Sequence, residues 1–405
     1  MPVKLVLGLQ HGDEGKGRIV DDLVQTWADV IIRFQGGGNA GHTVYDRNGN
    51  KYVTHQLPVG VLNENKINII SKGCVINPVE LFEEINSFKD LSPQIKISGL
   101  CPVIEPTHIL KDKLKYQGKI GTTAKGIGPA YSDFYARDSL LFKDLVRNPY
   151  DSLERIKNKF FEFQNYLKNC NLSLEENTLN NNIFFFEEWS EKYKKAVIFL
   201  QDLLLENENL IQDLYKQNKN ILLEGAQGYG LSIDSENYPN VTSSFPTIGG
   251  ALNSTGLNHL QINEVIGVTK IYKTKVGSGE FNSRCNSEVE DLLAYHGKEY
   301  GATTGRPRKC GWLDLDEVYD AIQKNGVTHL CVIKSDVFSL VEDPFVYHNK
   351  QLLKIPKINS VNLLDESFKN ILTFIKKVTG VKHITFTSGP KRGEIQWNVK
   401  LNQET

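Results

Sequence analysis

Short apolar runs rich in β-branched residues recur along the chain, at Lys4–Leu9, Val30–Phe34, Ile67–Ser71, Ile221–Leu223, Val265–Tyr272, His329–Ile333 and His383–Phe386. Runs of that length, separated by amphipathic stretches, point to a mainly parallel sheet covered by helices. The helices have recognisable starts. Asn77-Pro78 offers an amide cap and then a proline at the first helical position, leading into Val79–Ile85. From Asp151 to about Gln217 the chain is rich in Lys, Glu, Asn, Leu and Phe, which reads as amphipathic helices outside the sheet. The expected fold is α/β, with a mainly parallel central sheet flanked by helices. It forms a single domain over 1–405 with a helical subdomain at about 145–220.

The first run leads into Gly8-Leu9-Gln10-His11-Gly12-Asp13-Glu14-Gly15-Lys16-Gly17-Arg18, and a helical pattern follows. A glycine-rich turn between strand and helix presents backbone N–H groups and the positive helix end to an anion, and Lys16 stands where a cation reaches phosphate oxygens. The span from Gly8 to Gly15 is two residues longer than the standard G-x-x-x-x-G-K-[ST] loop, and Gly17 replaces the hydroxyl residue that usually holds Mg²⁺. Asp13 is the candidate to ligate the metal instead. The fold expectation is therefore P-loop-NTPase-like with a variant phosphate loop.

The remaining composition excludes other classes. A formal net charge of −1 over 405 residues does not suit a nucleic-acid backbone, although it allows a local basic cluster around a small phosphorylated ligand. The six cysteines form no C-x-x-C pair and no zinc spacing, and read as reduced thiols of a cytoplasmic protein. No apolar stretch is long enough to span a membrane, and no leader pattern precedes the first strand.

Further motifs follow in order: Gly36–Thr43 (GGGNAGHT), Ile120–Tyr131 (IGTTAKGIGPAY), Glu224–Gly228 (EGAQG), Tyr238–Ser244 (YPNVTSS), Gly301–Asp314 (GATTGRPRKCGWLD), Lys334-Ser335-Asp336 and Ser388-Gly389-Pro390. Together with Gln10–Lys16 this series resembles the adenylosuccinate synthetase family. The resemblance covers almost the whole chain, thinning between about 145 and 220. It implies a two-step ligation. The 6-oxygen of IMP attacks the γ-phosphate of GTP, and the amino group of aspartate then displaces the new phosphoryl group.

The residue types fit that chemistry. A lactam oxygen is a weak nucleophile, so a base must take the N1 proton; Asp13 matches the family's base and can also contact Mg²⁺. Charge building on the transferring phosphoryl group needs a positioned donor, and His42 matches it, with the Gly41 carbonyl on the metal. Most aspartates in such loops are only helix caps and most histidines only pack, but these two lie inside ordered motifs. By the same resemblance GTP is held by Gly12, Glu14, Gly15, Lys16, Gly17, Arg18, Gly41, Thr43, Arg308, Lys334, Ser335, Asp336, Thr387, Ser388 and Gly389. A carboxylate at Asp336 can accept both N1–H and N2–H of guanine, which adenine does not offer. IMP falls to Asp13, Lys16, Asn39, Ala40, His42, Thr123, Gln227, Thr242, Arg306 and Arg137, the last from the neighbouring subunit of a homodimer. Aspartate falls to Thr303, Thr304, Gly305, Arg306 and Arg308, where hydroxyls and guanidinium forks suit carboxylates.

Some positions depart from the family pattern. His11 stands where tryptophan is usual, Ser278-Gly279-Glu280-Phe281 lacks the usual proline, and Pro246-Thr247-Ile248 replaces a Thr-rich run. Val337-Phe338-Ser339 follows the K-x-D triplet in place of the usual continuation, and Lys391 replaces an acidic residue before Arg392. Two other readings stand beside IMP ligation. One is the same chemistry on GMP or dGMP, giving a 2-aminoadenylosuccinate. The other is a GTP-binding switch without catalysis.

Overall fold

The computed structural model describes residues 2–45, 49–116, 122–170, 186–275, 281–300 and 308–401. A ten-stranded sheet forms the centre, in the order Ile395–Gln396, His383–Thr387, His329–Ile333, Glu264–Lys270, Val3–Gly8, Ile221–Glu224, Val30–Arg33, Ile67–Ile70, Gln94–Ser98, Leu204–Leu205. Pairing is parallel throughout except at the edge strand Ile395–Gln396. Val30–Arg33, Ile221–Glu224 and His329–Ile333 are buried at every position, as strands covered on both faces must be. Alternate residues feed opposite cores. Leu5, Leu7, Ile32 and Leu223 join one core, and Val6, Ile31 and Leu222 join another against Ile19, Val20, Leu23 and Val24 of the helix Lys16–Thr26.

The predicted run Val265–Tyr272 divides in two. Its first part, Glu264–Lys270, belongs to the central sheet. At Ile271, whose N–H donates to Ile333 O at 3.0 Å, the chain leaves that sheet. Tyr272–Lys275 then opens a second sheet with Lys309–Asp314, Phe345–His348 and Gln351–Lys354. Both sheets bury the run, Lys270 included, so its apolar residues read as one continuous strand. A separate hairpin pairs His42–Tyr45 with Lys51–Thr54. The expected cap is present, with Asn77 Oδ1 accepting from Glu80 N at 3.3 Å and Pro78 opening the helix Pro78–Ser87.

The helix-rich segment contains Pro149–Asn169, Phe186–Leu200 and Leu210–Lys216, with the short strand Leu204–Leu205 adding to the edge of the central sheet. Phe160, Tyr193 and Leu200 share a core with Ile70 and Ile97 of the sheet and Leu81 of the helix Pro78–Ser87. Cys170, at the end of the helix Pro149–Asn169, is exposed, while Cys74, Cys101, Cys285, Cys310 and Cys331 are buried; none is in a disulfide. Burial pushes the Cys74 and Cys310 thiols up to about 12. No described helix is long and apolar enough to cross a membrane.

Candidate functional site

The carboxyl ends of parallel strands are where an α/β sheet offers its loops to a ligand. Here the loops after Val3–Gly8, Val30–Arg33, Ile221–Glu224, His329–Ile333 and His383–Thr387 converge on one cavity of about 600 Å³. Of the residues expected to bind substrates, Gly12, Asp13, Gly15, Lys16, Gly17, Arg18, Asn39, Ala40, Gly41, His42, Thr43, Thr123, Gln227, Arg308, Lys334, Asp336, Thr387 and Gly389 share its wall. Glu14, Thr242, Ser335, Ser388 and Arg137 do not line it. Thr303, Thr304, Gly305 and Arg306 lie outside the described residues, as do Ser278, Gly279 and Glu280.

The phosphate loop is shaped by one buried carboxylate. Glu14 accepts from Gln10 N at 3.1 Å, Gly12 N at 2.8 Å and Lys16 Nζ at 2.7 Å. It fits only because Gly8 and Gly228 carry no side chain: a Cβ on either would collide with it. Burial pushes the Glu14 carboxyl up, but Lys16 and the loop amides outweigh it and hold the group below its usual range. Gly12, Asp13 and Gly15 all take left-handed backbone, at φ 84, 59 and 76. That conformation turns the Asp13 carboxylate back over the loop, where Oδ2 meets Arg308 at 2.6 Å. The other fork of Arg308 reaches Glu299 Oε2 at 2.7 Å.

Glu299 is a functional-site residue that sequence reasoning missed. It is 1% exposed and also receives Lys270 Nζ at 2.9 Å and Tyr272 OH at 2.6 Å. Burial pushes its carboxyl up, but Lys270, Lys334 and Arg308 together bring it down to about 2. Its signal was its position, two residues ahead of the Gly301–Asp314 motif.

His42 is held from behind. Its Nδ1 lies 2.5 Å from Glu224 Oε1, which also takes Arg33 at 2.7 Å, while Glu224 Oε2 accepts from Val59 N at 2.9 Å. Burial pushes Glu224 up, yet its bond to His42 and the nearby cations leave it below the usual carboxylate range. An ionised carboxylate only accepts, so the ring proton sits on Nδ1 and Nε2 carries the lone pair. Burial first, and then Arg33, bring His42 down to about 4, so the imidazole is neutral near pH 7. Glu224 was legible within the EGAQG motif without a role attached to it.

At the other end Lys334, at φ 65, donates from Nζ to Gly297 O at 2.7 Å, next to Asp336. Burial depresses the Lys334 ammonium. Ser335 is fully buried beneath them. Lys391 is exposed; its backbone meets the loop, with O accepting from Arg18 and N donating to Glu394. Arg392 makes a two-pronged pair with Asp21 of the helix Lys16–Thr26 at 2.8 and 2.6 Å. Arg137, at φ 63, is exposed past the end of the helix Ile127–Tyr135.

The adenylosuccinate synthetase family model matches residues 5–347. The adenylosuccinate synthetase of Halothermothrix orenii is 42% identical over 343 residues, 83% of this chain and 78% of that one. Among solved structures, the fully ligated adenylosuccinate synthetase of Plasmodium falciparum superposes with a TM-score of 0.86 at 30% identity, covering 98% of this chain and 99% of that one. The cyanophage S-2L succinoaminodeoxyadenylate synthetase, bound to dGMP and dATP, superposes with a TM-score of 0.66 at 20% identity over 99% and 96% of the two chains. The second likeness bears on the fold alone.

Proposed function

The chain belongs to the adenylosuccinate synthetase family, and on that premise we propose that it joins L-aspartate to IMP at the expense of GTP, giving adenylosuccinate, GDP and phosphate. The observation that carries the reading is one cavity shared by both sets of residues. Gln227 lies in one part of its wall and Lys334 with Asp336 in another, with Asp13, Lys16 and His42 on the same wall. A nucleotide pair that must exchange a phosphoryl group needs such a shared chamber.

In the first step Asp13 takes the N1 proton of IMP. The O6–P bond forms, and the bond from the γ-phosphorus to the bridging oxygen breaks to release GDP. Lys16 and the loop N–H groups hold the phosphates. Phosphate charge beside Nε2 of His42 raises its proton affinity, and the ring, braced by Glu224, can then donate to a phosphoryl oxygen. In the second step the aspartate amino group forms the C6–N bond and the C6–O bond breaks with loss of phosphate. Thr303, Thr304, Gly305, Arg306 and Arg308 are the aspartate-binding set.

Mg²⁺ fits the donor set. The ion is commonly held by one or two carboxylates and substrate phosphates, and Asp13 and Gly41, whose carboxylate and carbonyl are the expected ligands, both line the cavity. When bound, it would neutralise charge on the transferring phosphates. The remaining assignments of the substrate-binding residues, including Thr242, Ser388 and Glu14, belong to the same reading. So do a cytoplasmic location and a homodimer in which the exposed Arg137 reaches its partner's IMP phosphate.

The test is purified protein with Mg²⁺, GTP, aspartate and either IMP or dGMP, following phosphate release and the nucleotide product. Adenylosuccinate formed only with IMP and aspartate supports the reading. Turnover of dGMP but not IMP reassigns the acceptor, and GTP binding without turnover of either points to a switch.

A further inference from the structure

His11 is 8% exposed and lines the cavity, yet among the described residues neither ring nitrogen has a hydrogen-bond partner. Asn237 comes near the ring without forming a good hydrogen bond to it, its Oδ1 accepting from Lys275 Nζ at 3.3 Å and its Nδ2 donating to Gly230 O at 3.0 Å. The ring packs over Gly230, where a Cβ would come within 3.1 Å of Nε2, so that glycine makes room for it. Buried ring nitrogens without partners are costly and uncommon, and in a cavity wall they mark where a ligand makes the missing bond.

The position of His11 narrows the choice of ligand. A Cβ on Gly12, the next residue, would meet Leu231 and Gln227 of the loop after Ile221–Glu224. Further along the loop, a Cβ on Gly15 would meet Ile333, beside the Lys334–Asp336 end. His11 therefore belongs with Gln227, Leu231 and Lys275 and away from the guanine-binding end. We propose that His11 is a further substrate-contacting residue, hydrogen-bonding the acceptor nucleotide directly and setting its affinity. This rests on the reading that the acceptor is IMP. A neutral imidazole carries one N–H and one lone pair. That combination pairs with a hydroxyl or a lactam, both of which a hypoxanthine nucleotide carries.

The experiment compares His11→Phe, which keeps a ring and removes both nitrogens, with His11→Gln, which restores one donor and one acceptor. In His11→Phe the KM for IMP rises about 3- to 10-fold, the loss of one ordinary hydrogen bond, while the KM values for GTP and aspartate stay put. His11→Gln recovers part of the loss. In the wild-type protein the ring ¹⁵N signal of His11, assigned by its absence from His11→Gln, shifts on adding IMP alone and not on adding GTP alone. A KM for IMP that does not move, or a ring signal indifferent to IMP, overturns the contact while wild-type turnover of IMP leaves the ligase reading standing. No wild-type turnover of IMP overturns both.

Discussion

Arg308 holds Asp13 Oδ2 at 2.6 Å with one arm of its guanidinium and Glu299 Oε2 at 2.7 Å with the other. The proposed base is thus steered by a carboxylate it does not touch. Because Glu299 also holds the fully buried Lys270, its removal leaves that ammonium with only Thr274 Oγ1, while Arg308 keeps Asp13. Glu299→Ala is expected to destabilise the fold by about 3–5 kcal/mol, the range for breaking a buried pair from one side. Urea unfolding measures it, and a change below about 1 kcal/mol would mean that water replaces the carboxylate.

Asp13→Asn removes the base and keeps the shape of the loop, since Glu14 rather than Asp13 ties the loop amides. His42→Asn removes the ring braced by Glu224. Each is expected to lower kcat about 10²- to 10⁴-fold, with the melting curve close to wild type for Asp13→Asn. Steady-state turnover within a few-fold of wild type in either variant would end its catalytic assignment.

Asp336→Asn replaces an acceptor-only carboxylate with an amide that presents a donor to guanine. The KM for GTP is expected to rise about 10- to 100-fold, the scale of a charge-assisted bond lost, with the KM for IMP unchanged. Equal rises for both substrates would show damage to the whole cavity.

Stability should begin to fall well above the carboxylate range. His11 and His42 sit near 4 in the folded protein against 6.5 unfolded, so below 6.5 the unfolded chain binds protons that the folded one refuses. Their contribution is complete above pH 6.5 and is lost as pH falls toward 4, at up to about 1.4 kcal/mol per pH unit for each ring. Glu299, held near 2, loses its contribution only below its usual value of 4.5, while Glu84 and Asp314, pushed up by burial, act with the opposite sign, so the His42 share is read as the difference between wild type and His42→Asn. Denaturation midpoints across that interval should flatten in His42→Asn; an unchanged slope would mean that His42 is not the titrating group.

The central sheet was legible because parallel strands buried on both faces leave continuous apolar runs, as at Val30–Arg33 and Ile221–Glu224. Gln94–Ser98 escaped notice because it lies toward the sheet's edge and alternates exposed with buried positions. Tyr272–Lys275 escaped for the opposite reason. Its lysines break the apolar pattern, yet Lys273 is buried against Asp314 and Glu317, partners supplied from 41 and 44 residues away. The phosphate loop, His42 and Asp336 were carried by local motifs. What braces His42 was legible only in part: Glu224 opens the EGAQG motif, but its partner Arg33 comes from a neighbouring strand 191 residues away in sequence. A buried ion pair leaves no periodicity to read.

The distribution of the thiols has a practical side. Five are sealed in cores, where a maleimide cannot reach them and burial suppresses the reactive thiolate. Cys170 stands alone at the exposed end of the helix Pro149–Asn169, outside the cavity at the strand ends. The unmodified chain therefore carries its own single attachment point for a fluorophore or spin label, without any cysteine being removed or added.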